Sequence, residues 1–272
     1  MSAQRGAHCV SAPRRAAVIG HPVAHSRSPA LFARFAAASG IALAYDAVDV
    51  LPEELEATLA RWRGDPAFVG CNVTLPHKER ALALADRAEP AARACGAANV
   101  LTRDGGALVA GNTDVAGIEA ALAKYGVALR GARVAILGAG GAARAVAEAA
   151  RRSGAAIITI AARDASRAAA LAADFGAGAC TLGAVPVADV YVNATPAGMQ
   201  GQPQISLLPN DAPAGAAAFD LVYVPEETVF LRDARARGLR TVPGTAMFLA
   251  QAAATFEKWF GIAPPLRMVT TR

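Results

Sequence analysis

Val134-Ala135-Ile136-Leu137-Gly138-Ala139-Gly140-Gly141-Ala142-Ala143-Arg144, continuing as A-V-A-E-A-A to Ala150, is the stretch on which the fold turns. Four apolar residues enter a glycine turn, and an alanine-rich helical run leaves it. The pattern is strand, tight turn, helix. Gly138 permits the sharp turn, Gly140 lets backbone N–H groups approach a pyrophosphate, and Ala143 fills the third small position, where helix and strand pack closely. The helix start offers unpaired N–H groups and a partial positive charge to phosphates. Tight βα turns also occur without nucleotides. The strand before the turn and the helix after it favour the dinucleotide reading.

The chain has 272 residues, enough for one large domain or two modest ones. Hydrophobic residues make up 54%, so a sizeable core is available. No apolar run is long enough to span a bilayer, and Met1 to Pro13 reads as a loose tail rather than a signal peptide. The net charge of +5 fits either a solvated basic surface or attraction of acidic small molecules. No dense basic run with interleaved aromatics argues for nucleic acid. Cys9, Cys71, Cys95 and Cys180 are scattered and form no C-x-x-C pair, so no metal site is expected. They read as small core residues in a reducing compartment, which makes the cytoplasm the expected location.

Outward from the glycine turn, the chain reads as alternating strands and helices. Ala16 to Ile19 is a strand ending in Gly20-His21-Pro22. Ser28-Pro29 is a helix start, with serine as N-cap and proline at the first helical position. Ser26 and Ser28 either serve that cap or hold a ligand at a strand-to-helix loop. The helix runs to about Ser39 and closes at Gly40. A strand at Ala44 to Val48 and a helix opening at Pro52 follow. Phe68 to Val73 is a buried strand in which polar Asn72 and Thr74 mark the carboxyl end, where open α/β sheets place ligands. Lys78 lies in the first turn of the next helix, where the helix dipole disfavours it. Asn99 to Arg103 and Ala107 to Gly111 form a hairpin about Asp104-Gly105-Gly106. Asp114 precedes a helix from Val115 to Tyr125 and could simply cap it.

Beyond the glycine turn, Ala155 to Ala161 is the second strand of the nucleotide unit. An NAD site usually places an acid at its end. Here Arg163 stands there, with Arg167 one helical turn on, and two guanidinium groups suit a 2′-phosphate. Asp164 between them either caps the helix or weakens phosphate binding. The charges favour NADP. Strands follow at Ala188 to Asn193, at Phe219 to Val224 with Tyr223 near its end, and at Leu239 to Val242. A helix at Thr228 to Arg237 precedes the last of them. The final helix, Ala246 to Phe260, has an apolar face of Met247, Phe248, Phe256, Trp259 and Phe260, with Gln251 its conspicuous polar residue.

Taken together, Gly20-His21-Pro22-Val23-Ala24-His25-Ser26-Arg27-Ser28-Pro29, Asn72 through Glu79, Gly111-Asn112-Thr113-Asp114, the glycine turn, Asn193-Ala194-Thr195 through Gly198-Met199, and Gln251 resemble the shikimate dehydrogenase family, which includes shikimate and quinate dehydrogenases. That family reduces 3-dehydroshikimate to shikimate with NADPH. The resemblance implies a two-lobed α/β protein, with an N-terminal substrate domain at 1–114 completed by 245–272. A Rossmann-type, doubly wound dinucleotide domain at 115–244 would lie between, and the last helix would return to the substrate domain. It implies Lys78 and Asp114 as the catalytic pair. It implies substrate contacts from Ser26, Ser28, Thr74, Asn99, Tyr223 and Gln251. Cofactor contacts would come from Gly138, Ala139, Gly140, Gly141, Ala142, Arg163, Arg167, Asn193, Thr195, Gly244 and Met247. A small-molecule substrate is the expected partner, with the chain a monomer or homodimer.

The sequence departs from the family pattern at four places. Phe32 stands where histidine is usual, and Gly96-Ala97-Ala98-Asn99-Val100 replaces G-A-V-N-T. Ala162 stands before Arg163 where asparagine is common, and Gly244-Thr245-Ala246-Met247 replaces glycine-leucine-glycine-methionine. Two alternatives to the NADP-dependent shikimate enzyme are a quinate/shikimate dehydrogenase with relaxed cofactor use and a non-catalytic nucleotide-binding homologue.

Overall fold

The computed structural model describes residues 13–266. The expected tail at Met1 to Pro13, except for Pro13, and Cys9 with it, lie outside the described residues. Two six-stranded sheets are built in succession. The first comprises β1 (Arg14–Gly20), β2 (Leu43–Asp49), β3 (Phe68–Val73), β4 (Arg87–Ala88), β5 (Val100–Asp104) and β6 (Ala107–Gly111). Helices α1 (Ser28–Ser39), α2 (Leu55–Arg63), α3 (Lys78–Leu84) and α4 (Pro90–Cys95) connect them. Spatial order is β2-β1-β3-β5-β6-β4. β1 pairs in parallel with β2 and β3, whereas the hairpin β5–β6 runs antiparallel beside β3.

Helix α5 (Asp114–Lys124) then leads into the second sheet. Its strands are β7 (Arg133–Leu137), β8 (Ile157–Ala162), β9 (Gly178–Thr181), β10 (Val190–Asn193), β11 (Ala217–Asp220) and β12 (Arg240–Val242). Helices α6 (Gly141–Ser153), α7 (Ala165–Phe175) and α8 (Val229–Ala236) join them, and α9 (Gly244–Phe260) closes the chain. The order β12-β11-β10-β7-β8-β9 is parallel throughout. It is a doubly wound sheet that reverses direction at β7, the strand feeding the glycine turn.

Period-two alternation places each strand's side chains on two faces. Val134 and Ile136 join α5, α6 and α7 in one core, while Ala135 and Leu137 join Phe230 and Leu231 of α8 in another. The first sheet divides likewise. Ala17 and Ile19 pack with Leu55, Leu59 and Ala81 of α2 and α3. Ala16 and Val18 pack with Phe32 and Phe35 of α1 and with Ala252, Phe256 and Trp259 of α9. The last helix therefore does return to the first sheet. Its opening turn stays with the second, where Met247 joins that core.

Three local expectations change. The strand expected at Phe219 to Val224 ends at Asp220, because the Asp220 carboxylate accepts the Val222 N–H and turns the chain out of the sheet. Tyr223 therefore sits in a loop. Ser28 is the first residue of α1 rather than its cap. Arg27 holds the cap position without a side-chain bond. The segment opening at Pro52 is a short 3₁₀ turn, Pro52–Glu54, before α2 begins. Among the described residues, no helix is long and apolar enough to cross a membrane.

Candidate active site where the two sheets meet

The site forms from the carboxyl ends of strands in both sheets. β3 runs out at Val73, and Thr74 to His77 carry the chain into α3 with Lys78 as its first helical residue. His77 is buried, and its Nε2–H donates to the Val50 carbonyl at 2.7 Å, which fixes the turn from inside. Asp114 opens α5. Thr113 holds the cap position and Asp114 is the first helical residue, its N–H bonded to Asn112 Oδ1 at 3.0 Å, so its carboxylate is not the cap. The carboxylate is thereby available, and Lys78 Nζ donates to its Oδ2 at 2.6 Å. The two side chains, 36 residues apart in the chain, are 12% and 6% exposed. An ammonium at a helix start is locally disfavoured. The nearly buried carboxylate offsets that cost.

Asn99 supports the acid. Its Nδ2 donates to Asp114 Oδ1 at 2.8 Å and to Thr113 Oγ1 at 2.9 Å, while its Oδ1 accepts the Thr113 N–H at 2.7 Å. Both amide protons are thus engaged, and in this geometry Asn99 buttresses Asp114. The network continues inward. Thr113 Oγ1 meets Thr255 Oγ1 of α9 at 3.0 Å, Asn72 Nδ2 donates to Thr255 at 3.3 Å, and the Tyr45 hydroxyl donates to Asn72 Oδ1 at 2.8 Å. Sequence reasoning misses Thr255. The available signal is one small hydroxyl residue four positions after Gln251 on an apolar helix.

Ser26 links Ser28 and Tyr223, and Thr74 lies against Gly20. Ser26 Oγ accepts the Ser28 N–H at 3.3 Å. The Tyr223 phenol is pushed up by burial, opposed by its hydrogen bonds to Ser26 and the Arg27 backbone. Tyr45 is likewise raised by burial, opposed by Ser28. Tyr223 also stacks on Phe248 of α9, with centroids 4.3 Å apart. Thr74 is half-buried, and its methyl group occupies the space a Cβ at Gly20 would need. Gln251 donates to the Phe248 carbonyl at 3.0 Å, and its Cβ bears on Gly117 where α9 crosses α5.

The nucleotide turn has the shape a pyrophosphate needs. Gly138 has φ of 128°, and a Cβ there would lie 2.8 Å from the Ala194 carbonyl oxygen. At Gly140, the N-cap of α6, a Cβ would meet no protein atom within 4 Å, so the approach to the helix start is open. Ala139 and Ala142 flank that opening, each half-buried. Arg163 and Arg167 are exposed at the end of β8. Asp164 between them caps α7, accepting the Ser166 and Arg167 N–H groups, and the Ser166 bonds hold its carboxyl below the usual range. Glycine turn and paired guanidinium groups thus fit a dinucleotide bearing an extra phosphate.

Three expected cofactor residues are buried. Asn193 is 1% exposed, with Nδ2 donating to Ala197 O and Asp220 Oδ1 and Oδ1 accepting from Thr195. It shapes the loop that presents Thr195. Gly244 is bare because a Cβ would strike the Val222 carbonyl oxygen, and Met247 is 7% exposed in the core. The departures at Phe32 and Val100 lie inside the protein as well. Both are fully buried in the cluster with Trp259, and Phe32 stacks on Tyr45 at 4.3 Å.

A doubly wound nucleotide sheet facing a second sheet across a buried Lys–Asp pair defines a class, the two-lobed dinucleotide-dependent dehydrogenases. Within it, residues 18–101 match the shikimate dehydrogenase substrate binding domain, and residues 119–198 match the shikimate / quinate 5-dehydrogenase family. The chain is 43% identical to the NADP(+) shikimate dehydrogenase of Mesorhizobium japonicum, over 94% of this chain and 93% of that protein. It is 42% identical to the one from Azorhizobium caulinodans, over 92% of each. It also superimposes on the shikimate 5-dehydrogenase of Thermus thermophilus in complex with NADP(H) and shikimate, with TM-score 0.86 and 42% identity, covering 94% of this chain and 97% of that one. The chain belongs to the shikimate dehydrogenase family.

Proposed function

We propose that this protein is an NADP-dependent oxidoreductase that reversibly reduces 3-dehydroshikimate to shikimate. The observation that carries the reading is the 2.6 Å Lys78–Asp114 bond, in a chain whose second nucleotide strand is followed by exposed Arg163 and, in the first turn of α7, exposed Arg167. Bound NADPH would supply hydride to the substrate's carbonyl carbon. Lys78 Nζ then donates a hydrogen bond to the carbonyl oxygen and gives it a proton as the C=O electron pair moves onto that oxygen. The neutral amine left behind recovers its proton from solvent. Asp114, held by Asn99, orients the ammonium. Ser26, Ser28 and Tyr223 offer hydroxyl donors to the ring carboxylate, with Thr74 and Gln251 at its margin. Arg163 and Arg167 would hold the 2′-phosphate of the bound cofactor, and the run from Gly138 to Ala142 its pyrophosphate, with Thr195 on the neighbouring loop also available to it.

Residues 1–114 with 245–272 form the substrate lobe in this reading, and 115–244 the nucleotide lobe. The working form is a cytoplasmic monomer or homodimer. Commitment of Asp164 to the α7 cap disfavours relaxed NAD use. The test is steady-state oxidation of shikimate and quinate with each cofactor, followed by absorbance of the reduced nucleotide. Lys78→Ala should lower kcat by roughly 10²–10⁴-fold while leaving substrate KM nearly unchanged. Undiminished turnover in that variant rejects the assignment.

A further inference from the structure

We propose that Gly141 is a positioning residue for Lys78, so that the nucleotide turn itself sets where the ammonium sits. The three glycines of the turn are bare for three different reasons. Gly138 avoids the Ala194 backbone, and Gly140 faces open space. Gly141 is buried and is the first residue of α6, outside the left-handed region, so neither a turn nor a positive φ requires glycine there. A Cβ at 141 would instead lie 2.9 Å from Lys78 Cβ, 3.0 Å from Cδ and 3.4 Å from Cγ. These atoms are the root and stem of the side chain, not its free end. The lysine cannot swing aside without displacing α3, and Nζ would move off its 2.6 Å bond to Asp114.

Helix α6 is also held against the same lobe. Arg144, one turn on, donates to the Cys95 carbonyl of α4 at 3.3 Å and lies 4.0 Å from Glu79, the neighbour of Lys78. The helix cannot back away to make room without straining these bonds. The helix that receives the pyrophosphate is therefore the wall against which Lys78 is set, and proton donor and cofactor share one reference frame.

This inference rests on Lys78 being the proton donor, and the experiment separates the two. Gly141→Ala, Gly140→Ala, Lys78→Ala and the double variant Lys78→Ala/Gly141→Ala are compared by kcat, by solvent isotope effect and by fluorescence titration with NADPH. Gly141→Ala should lower kcat between about tenfold and a hundredfold, with NADPH affinity changed less than about threefold. The solvent isotope effect on kcat should rise as proton delivery becomes limiting. Gly140→Ala, whose Cβ enters the open space at the helix start instead of meeting Lys78, should weaken NADPH by more than Gly141→Ala does. In the Lys78→Ala background, Gly141→Ala should cost nothing further. Turnover surviving in Lys78→Ala defeats the proton-donor reading and this inference with it. Collapse in Lys78→Ala beside a normal kcat in Gly141→Ala, or a Gly141→Ala variant that loses only NADPH affinity, overturns this inference alone. Overpacking at this contact should cost about 1–3 kcal/mol, so a melting temperature lowered by more than about 10 °C in Gly141→Ala also overturns it, as general unfolding rather than displacement of the ammonium.

Discussion

Arg163 and Arg167 stand exposed at the end of β8, with the acid between them taken up by two backbone N–H groups. Neither guanidinium is hydrogen-bonded to Asp164, although the carboxylate's charge still acts on Arg167. Charge-assisted hydrogen bonds contribute about 1.5–3 kcal/mol when sheltered, and solvent at this surface favours the lower end. Replacing either arginine with alanine should therefore weaken NADPH about tenfold and leave NADH binding unchanged. Titrating both cofactors into each variant checks this. Equal losses for the two would place the arginines away from the 2′-phosphate.

At the scale of elements, α9 ties the two sheets together. Its Phe256 is fully buried and its Trp259 nearly so, and burying such side chains contributes roughly 1.5–3 kcal/mol each. A net hydrogen bond contributes about 0.5–1.5 kcal/mol. Docking of α9 is therefore driven by its aromatic face, and Thr255 chiefly sets its register against Asn72 and Thr113. Thr255→Val keeps the shape and strips two buried partners of a bond. It should cost about 1–3 kcal/mol in urea unfolding and lower kcat through Thr113 and Asn99. Thr255→Ser should restore both. A valine variant with unchanged stability and turnover would show the network to be dispensable.

At the scale of the whole molecule, Asp220 links stability to pH. Burial pushes its carboxyl up to about 6 from an ordinary 3.8, although Thr228, Val222 and Asn193 all donate to it. Between those two values the folded protein holds a proton that the unfolded chain has released. Stability from this group therefore falls as pH rises from about 4 through about 6 and is level above. At about 1.4 kcal/mol per unit, the full effect is on the order of 3 kcal/mol. Comparing urea midpoints at about pH 7.5 and about pH 5, the wild type should gain on Asp220→Asn at the lower pH. Parallel changes in the two proteins would remove Asp220 as the cause.

Much of this is readable along the chain. The glycine turn, the strand–helix alternation and the hairpin at Gly105-Gly106 are local, set by which residues can turn, cap or alternate, and they are found where expected. Lys78 stands out locally because it sits badly in its helix, whereas Asp114 reads locally as a plain cap and joins the pair only through the family resemblance. Tertiary structure alone decided that Asp114 turns its carboxylate to Lys78, that Asn193 and Met247 are buried, and that Phe32 and Val100 lie inside an aromatic cluster. It also decided that Gly141 yields its side chain to Lys78. Each of these depends on which atoms distant segments bring within a few ångströms, and spacing along a chain holds no record of such approaches.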